Sequence, residues 1–547
     1  MGYEDFKYSS YLVNNQETRW ATTDEIKNSG AYVNLAHDDL PAGGLPLISN
    51  GKELYVDDKD THTMIFGATG SKKTRLFCMP MINLFAKAGE SFVVTDPKGE
   101  LFAKTSGYVT SKGYKPIVLN FRNVGYGDFW NPLSLPYTLY HSGEKEKAIS
   151  MLNDFVSAVA APYEQDYVNR FFNQMAKAYI LAVLLFMAEC GSEEQMNVGN
   201  LARLCTSENI KYFRELSNHM LPSSVAGINF KGVFNSGEKT MNSILASVYS
   251  MINEFNVHQD IINMISNNSV TLSNIGREKT AVYLIIPDEK TTSHFLANSF
   301  VKQAYEVLIS EAQKEQNFGL PIRVNFILDE FCNMPRIADM PAMITAARSR
   351  NMRFFLVAQS LHQLKGKYGE DANTIKGNCD NWVFLSSKEQ ELLDEISNLC
   401  GQIRLPNGIT RRLISTSELQ RLRKEKGETL ILHGREYPFI TEIADIDQYE
   451  CFKGYHALTL EKNEITESTP FSMDEYHKNV LDGKIPYPFS NGKMHEKPPV
   501  SALGSSSLED LLGIQRSNDR TKRFIDNAIK KQKNSDEFFF YQKNRKG

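Results

Sequence analysis

Cysteine is scarce, with seven in 547 residues and no CxxC pair. That excludes a disulfide framework and a zinc ribbon, and scattered thiols fit a reducing compartment. No excess of basic charge is present: 61 Lys and Arg stand against 65 Asp and Glu, a formal net charge of -4. A protein that coats nucleic acid uniformly is excluded by that balance, whereas a local basic surface is not. Long apolar runs are missing too. The longest, Ala178 to Met187 (AYILAVLLFM), falls short of the roughly 20 residues that cross a bilayer. The opening MGYEDFKYSSYLVNNQ lacks the apolar core of a signal peptide. No internal repeats occur. The expectation is a soluble chain, with the question of a removed upstream membrane anchor left open.

What is present is globular in character: 41% hydrophobic and 23% charged residues. The length predicts three or four domains of ordinary size, or two large ones. Residues 1–62 are polar and turn-rich, broken by PAGGLP at 41–46, and read as an extended N-terminal leader with an edge strand near Glu53–Val56. From residue 63 short apolar runs alternate with helix-like stretches: Thr63–Phe66, a helix over Thr74–Lys87, then Ser91–Thr95 and Pro116–Asn120. Continuous apolar strands between helices predict a parallel sheet buried on both faces. This first part of a nucleotide-binding domain spans 63–141.

Across 142–270 the periodicity turns helical. Phe171, Ala176, Ala178, Leu181, Leu184 and Leu185 suit one broad apolar stripe, so an all-helical domain is inserted here. Strand-like runs return at Thr280–Ile286, Ile322–Leu328, Arg353–Ala358, Asn381–Leu385 and Thr429–His433, giving the second part of the nucleotide-binding domain over 271–460. Residues 461–547 read as a Pro- and Ser-rich linker followed by a tail with helices at Ser507–Ile514 and Thr521–Lys533. From Ile514 onward ten Lys and Arg face four Asp and Glu, a basic tail on an acidic protein. The fold class is α/β, a sheet interrupted by a helical insertion.

The most specific motif is Gly67-Ala68-Thr69-Gly70-Ser71-Lys72-Lys73-Thr74, which follows an apolar strand and opens a helix. Backbone N–H groups in such a turn converge on phosphate oxygens. Lys73 reaches the β- and γ-phosphates of ATP, and Thr74 offers a hydroxyl to Mg²⁺. Lys72 departs from the pattern, because glycine is expected where the backbone is tight. It either strains the loop or adds positive charge beside the phosphates. The partner motif is Val324-Asn-Phe-Ile-Leu-Asp-Glu330. Asp329 holds Mg²⁺ through Thr74 or water, and Glu330 orients and polarises the attacking water. The long separation between the two motifs requires a domain-sized insertion, and the helical block supplies one.

Three more positions join the candidate site. Gln359, ending the run RFFLVAQ, is a strand-end amide that senses the γ-phosphate or positions water, or is a simple polar terminus. Arg348 and Arg350, in AARSRNM, serve as an arginine finger toward a neighbouring subunit's nucleotide or as solvated helix-end charges. Asp96-Pro-Lys-Gly-Glu100 falls at the carboxyl edge of the sheet, and composition favours a capped loop there.

With these motifs in order, the chain resembles the type IV secretion coupling proteins, the TraG-like DNA-translocating ATPases of conjugation. The resemblance covers roughly residues 17–460. It rests on Arg19-Trp-Ala-Thr, the loop at 67–74, DPKGE at 96–100, WNPL at 130–133, LDEFCNMPRI at 328–337, ARSRNM at 347–352 and AQSLHQLKGKYG at 358–369. It implies a RecA-like P-loop NTPase sheet split by an all-helical domain. It implies a homo-hexameric ring with ATP and Mg²⁺ between neighbours, or a monomer when isolated without membrane helices. It further implies recruitment of a relaxase bound to single-stranded DNA, and delivery of that strand to type IV secretion channel proteins at the cytoplasmic face of the cell membrane. Family members usually begin with membrane-spanning helices, and none is visible here. Lys365, Lys367, Tyr368 and the tail from Arg516 are candidates for DNA contact, since a pore needs backbone-tracking cations and stacking aromatics. The helical insertion reads as a face for the relaxase or an accessory protein. Two alternatives stand beside the DNA motor: the channel-assembly ATPase of the same systems, and a nucleotide-gated docking receptor without turnover.

Overall fold

Strands dominated by β-branched and aromatic residues, without regular polar alternation, are buried on both faces, and seven of them form the parallel centre of the molecule. The structure, a computed structural model, describes residues 18–495 except 38–39, 41, 164–165, 258, 290–293, 338, 406–407 and 464–467. The strands are β1 (Ala31–Asn34), β2 (Leu45–Ser49), β3 (Glu53–Asp57), β4 (Thr63–Gly67), β5 (Ser91–Asp96), β6 (Lys115–Asn120) and β7 (Thr280–Ile285). After them come β8 (Val324–Leu328), β9 (Met352–Ala358), β10 (Asn381–Ser386), β11 (Gln402–Arg404), β12 (Thr410–Arg412), β13 (Glu428–His433) and β14 (Phe439–Glu442). The main sheet has nine strands in the order β14-β13-β10-β4-β9-β8-β5-β7-β6. From β10 to β6 all neighbours run parallel. The expected parallel sheet is thus extended at one side: β13 adds antiparallel to β10, and β14 antiparallel to β13.

The N-terminal stretch differs from the extended leader expected of it. A helix at Thr23–Ser29 precedes a three-stranded antiparallel sheet, β1-β3-β2. Leu45, Leu47, Leu54 and Val56 are buried in one cluster with Ile82 and Phe85 of the helix after β4. These strands are four or five residues long, and their inward side chains make sense only against that helix.

Helices fill the interval between β6 and β7, starting at Ser134–His141, earlier than the sequence pattern indicated, and ending with Gln259–Ser266. Their core is aromatic. Phe213 stacks on Phe230 at 5.0 Å and meets Phe186 edge-on at 5.2 Å, arrangements that add to simple area burial. Helix Arg170–Cys190 is long and apolar enough to cross a membrane by length and composition, but 67% of its most apolar window is buried in this bundle. Its first turn corrects the predicted stripe: Phe171 is 57% exposed, while Ala176, Leu181, Leu184 and Leu185 are buried. Trp130 and Asn131 knit the bundle to the sheet. Trp130 lies edge-on to Phe300 of helix His294–Gln313 at 5.2 Å, and Asn131 donates to the Met196 carbonyl at 2.7 Å.

The stretch read as a linker is partly pinned. The Thr469 carbonyl accepts from Asn200 at 2.9 Å, and Phe471 packs edge-on against Phe186 at 5.6 Å. Both contacts lie within the larger of two compact units, Met1–Asp474 with Pro488–Asn491. In the smaller unit, Glu475–Tyr487 with Gly492–Gly547, the Tyr487 hydroxyl pairs with His495 Nδ1 at 2.7 Å. The expected helices at Ser507–Ile514 and Thr521–Lys533, and the basic tail, lie outside the described residues.

Candidate nucleotide site

Strand order explains how residues far apart in the chain meet. Parallel strands end on one edge, and β9 lies between β4 and β8. Neighbouring strands are about 4.8 Å apart, so the loop after β4, Gln359 after β9 and Asp329-Glu330 after β8 fall side by side.

The loop after β4 is tight. A Cβ on Gly67 would meet Ser71 Oγ at 2.4 Å and Lys73 Cγ at 3.0 Å, and Gly70 has φ +75°. Ala68 N–H is tied to the Ser386 carbonyl at 2.9 Å. Lys73 is only 6% exposed, and its ammonium donates to the Gly67 carbonyl and, at 3.4 Å, to that of Ala68. Burial lowers its pKa, with Glu330 and Asp329 opposing the shift. A π-turn, Thr74–Cys78, then leads into helix Met79–Ala88.

Lys72 stands at φ +68°. A side chain in that left-handed region costs roughly 1–2 kcal/mol, so the loop is strained where glycine was expected. The charge is not free either: Lys72 Nζ lies 3.4 Å from Asp445 Oδ2. Arg75 also pairs with Asp445, and with Asp447. Since Arg75 keeps Asp445 satisfied, Lys72→Gly is expected to stabilise the protein by about 1 kcal/mol. Thermal unfolding checks this. A lowered midpoint would mean that the pair with Asp445 outweighs the backbone strain.

Across the edge, Thr74 Oγ1 donates to Asp329 Oδ2 at 3.3 Å. Asp329 is 5% exposed, and burial, reinforced by the neighbouring Glu330 charge, pushes its pKa up to about 7. Its other oxygen accepts from Glu330 N–H at 2.9 Å, and its carbonyl accepts from Thr95 of β5 at 3.0 Å. Gln359 bridges the site. Its amide nitrogen donates to Glu330 Oε2 at 2.7 Å, and its oxygen accepts from Thr69 Oγ1 at 3.3 Å. Asp96, at the end of β5, is 1% exposed and accepts from Phe102 N–H at 2.8 Å, in the first turn of helix Glu100–Ser111, whose N-cap is Gly99. Burial raises its pKa to about 6.

Arg348 and Arg350 are not brought to this edge. They form a turn before β9, at the opposite end of a strand about 20 Å long. Arg348 pairs with Asp380, and Arg350 donates to the Ala346 carbonyl at 3.3 Å and to Ser349 Oγ. Of the DNA-contact candidates, Lys365 pairs with Glu391. Tyr368 is 3% exposed and stacked on Phe331 at 5.2 Å, so its ring is not available to a base. The tail from Arg516 lies outside the described residues.

Three partners escaped the sequence reading. Asp445 and Asp447 come from a distant segment, with no local signal for their pairing. Asn333, inside LDEFCNMPRI, donates to Glu330 Oε2 at 2.8 Å; its spacing of three residues from Glu330 was the available cue.

Chemically, the arrangement suits a polyphosphate with a hard cation. Lys73 donates to its own loop's carbonyls, Ser71 Oγ is buried without a partner, and Gly67 keeps the floor open. Among the described residues no group of three or more His, Cys, Asp and Glu converges as a metal cage. A hydroxyl and one carboxylate, as Thr74 and Asp329 offer, are what Mg²⁺ takes when phosphates supply further ligands.

Comparison with known proteins agrees with this geometry. The model of the family described as "Type IV secretory system Conjugative DNA transfer" matches residues 19–429. The conjugal transfer protein TraG of Escherichia coli is 22% identical over 366 residues, covering 62% of this chain and 55% of TraG. Protein VirD4 of Rhizobium rhizogenes is 22% identical over 404 residues, covering 70% of this chain and 56% of VirD4. The chain thus spans about half the length of the curated relatives it matches. Among solved structures, the plasmid coupling protein TrwB in complex with the non-hydrolysable ATP analogue ADPNP superposes with a TM-score of 0.58 at 14% identity, covering 81% of this chain and 95% of that one. TrwB in complex with ADP and Mg²⁺ gives 0.57 at 13% identity, with 81% and 95% covered. The fold is therefore the RecA-like P-loop NTPase sheet with its helical insertion.

Proposed function

The chain belongs to the type IV secretory system conjugative DNA transfer family, and from that premise we propose that it is an ATPase that drives single-stranded DNA into a secretion channel. One observation carries the reading: Thr74 and Asp329, 255 positions apart, share a hydrogen bond at 3.3 Å, next to Lys73 and Glu330. That TrwB takes an ATP analogue, and ADP with Mg²⁺, supports the same ligands here.

In this reading the loop at 67–74 cradles the phosphates with its N–H groups, and Lys73 swings from its own carbonyls to the β- and γ-oxygens. Thr74 and Asp329 would hold Mg²⁺, which when bound would neutralise charge at the phosphates. Glu330 orients the attacking water and draws off its proton, while Gln359 links Glu330 to Thr69 and so makes the water's position answer to the loop's. Residues 63–141 and 271–460 form the nucleotide-binding domain, and 142–270 forms the all-helical domain that meets relaxase or accessory protein. In a homo-hexamer, Arg348 or Arg350 reaches a neighbour's nucleotide, which suits two arginines remote from their own loop. The ring works at the cytoplasmic face of the cell membrane beside the channel proteins. A receptor without turnover is disfavoured, because such a protein has no use for a carboxylate oriented by two amides, as Glu330 is.

ATP turnover measured against protein concentration, with and without single-stranded DNA, tests the proposal. Turnover per subunit should rise steeply with concentration and rise again with DNA. A rate indistinguishable from background under all of these conditions would refute the motor.

A further inference from the structure

We propose that Asn333 is a positioning residue for Glu330, a role that rests on the hydrolysis reading above. Two amides converge on one carboxylate oxygen: Asn333 Nδ2 at 2.8 Å and Gln359 Nε2 at 2.7 Å both donate to Glu330 Oε2. They come from different directions, one from the turn after β8 and one from the end of β9. With Oε2 so engaged, the carboxylate plane is set and Oε1 is the oxygen that takes the proton from water. Neither amide can remove that proton itself, so Asn333 acts only through Glu330.

The backbone shows that the arrangement is held. Glu330 has φ +52°, a conformation kept only where its surroundings over-determine it. Asn333 N–H closes the turn on the Glu330 carbonyl at 2.8 Å, and Phe331 N–H bonds the Val357 carbonyl of β9 at 3.0 Å. Phe331 stacks on Tyr368, whose hydroxyl accepts from Ile337 N–H at 3.3 Å. Asn298 of helix His294–Gln313 donates to the Pro335 carbonyl. Tyr368, a candidate base-stacking residue from the sequence, thus braces the turn that carries Asn333. Asn333 is exposed and lines, with Phe155 and Lys302, a cleft of about 730 Å³. Its hydrogen bond is therefore maintained in competition with water, which a charge-assisted bond of well-defined geometry can do.

The test compares Asn333→Asp and Asn333→Ala with Glu330→Gln in single-site kinetics and nucleotide binding. Aspartate matches asparagine in shape but offers no donor and sets a carboxylate against Glu330. Positioning predicts that Asn333→Asp lowers kcat by roughly tenfold or more, and further than Asn333→Ala, with KM and nucleotide Kd within about twofold. An unchanged Kd also shows that the variants are folded. A purely structural role predicts the reverse order, with the isosteric aspartate close to wild type and alanine impaired; that result would overturn the proposal. Abolished turnover in Glu330→Gln beside normal turnover in Asn333→Asp would remove this inference alone. Turnover that survives Glu330→Gln would overturn both it and the hydrolysis reading.

Discussion

Glu330→Gln is expected to lower ATP turnover at least about a hundredfold while leaving nucleotide affinity nearly unchanged. Glutamine has the same size and still offers an oxygen to Gln359 and Asn333, so the loop geometry survives. What it lacks is basicity. Lys73→Ala should behave differently. Lys73 is 6% exposed and faces both Asp329 and Glu330. Its removal takes away the cation that reaches the phosphates and leaves two carboxylates repelling each other around an empty space. Affinity and turnover should fall together. A fluorescent nucleotide titration beside phosphate release separates the two signatures, since one variant should bind and stall and the other should barely bind. If both variants bound normally and turned over normally, the convergence of Lys73 with Glu330 would have no catalytic meaning.

Arg353→Met is expected to destabilise the fold by about 3–5 kcal/mol without touching the nucleotide edge. Arg353 is 1% exposed, near the amino end of β9. Its guanidinium donates to Glu90 Oε2 at 2.8 Å, to Asn325 Oδ1 at 2.8 Å and to the Gly43 carbonyl at 3.0 Å. Burial lowers its pKa, with Glu90 opposing the shift, and a guanidinium stays charged regardless. Methionine fills the volume but strands an amide oxygen and a carbonyl, and leaves the Glu90 carboxylate with only the more distant cation Arg323, at 3.5 Å. Those acceptors join strands β5, β8 and β9 to the segment before β2, so the N-terminal sheet should loosen first. The thermal midpoint should drop by roughly 10 °C. Adding Glu90→Gln should recover part of the loss, because Arg323 at 3.5 Å compensates the buried charge less well than Arg353 does at 2.8 Å.

How much of this was legible beforehand depends on the range of the interactions concerned. The seven parallel strands were readable because each carries a run of apolar residues with little polar alternation, and such a run has few alternatives to a sheet covered on both sides. The loop at 67–74 and the pair Asp329-Glu330 were readable as local chemistry, and the insertion explained their separation. The N-terminal sheet was not. Val33, Leu54 and Val56 face inward while Tyr32 lies 48% exposed, an alternation too short to stand out until helix Met79–Ala88 is there to cover it. The antiparallel β14, Phe439–Glu442, is hidden by its two polar residues for the same reason. Phe171 followed the helical period and still points outward, since periodicity marks a face without saying where burial begins. The strain at Lys72 could be suspected from the missing glycine, but Asp445 could not be named without coordinates. Asn333 was in plain view in LDEFCNMPRI; only the left-handed turn at Glu330 reveals that its amide folds back.

Lys302 has a consequence of another kind. Its ammonium lies 2.8 Å from Asp154 in helix Lys145–Ala160 and 2.6 Å from Asp339, just beyond the turn that holds Asn333. Three charges in a row link helix Lys145–Ala160 to the segment that follows Asn333. Without that ammonium, Asp154 and Asp339 would face each other with no cation between them, and the link from helix to segment would turn from attraction to repulsion.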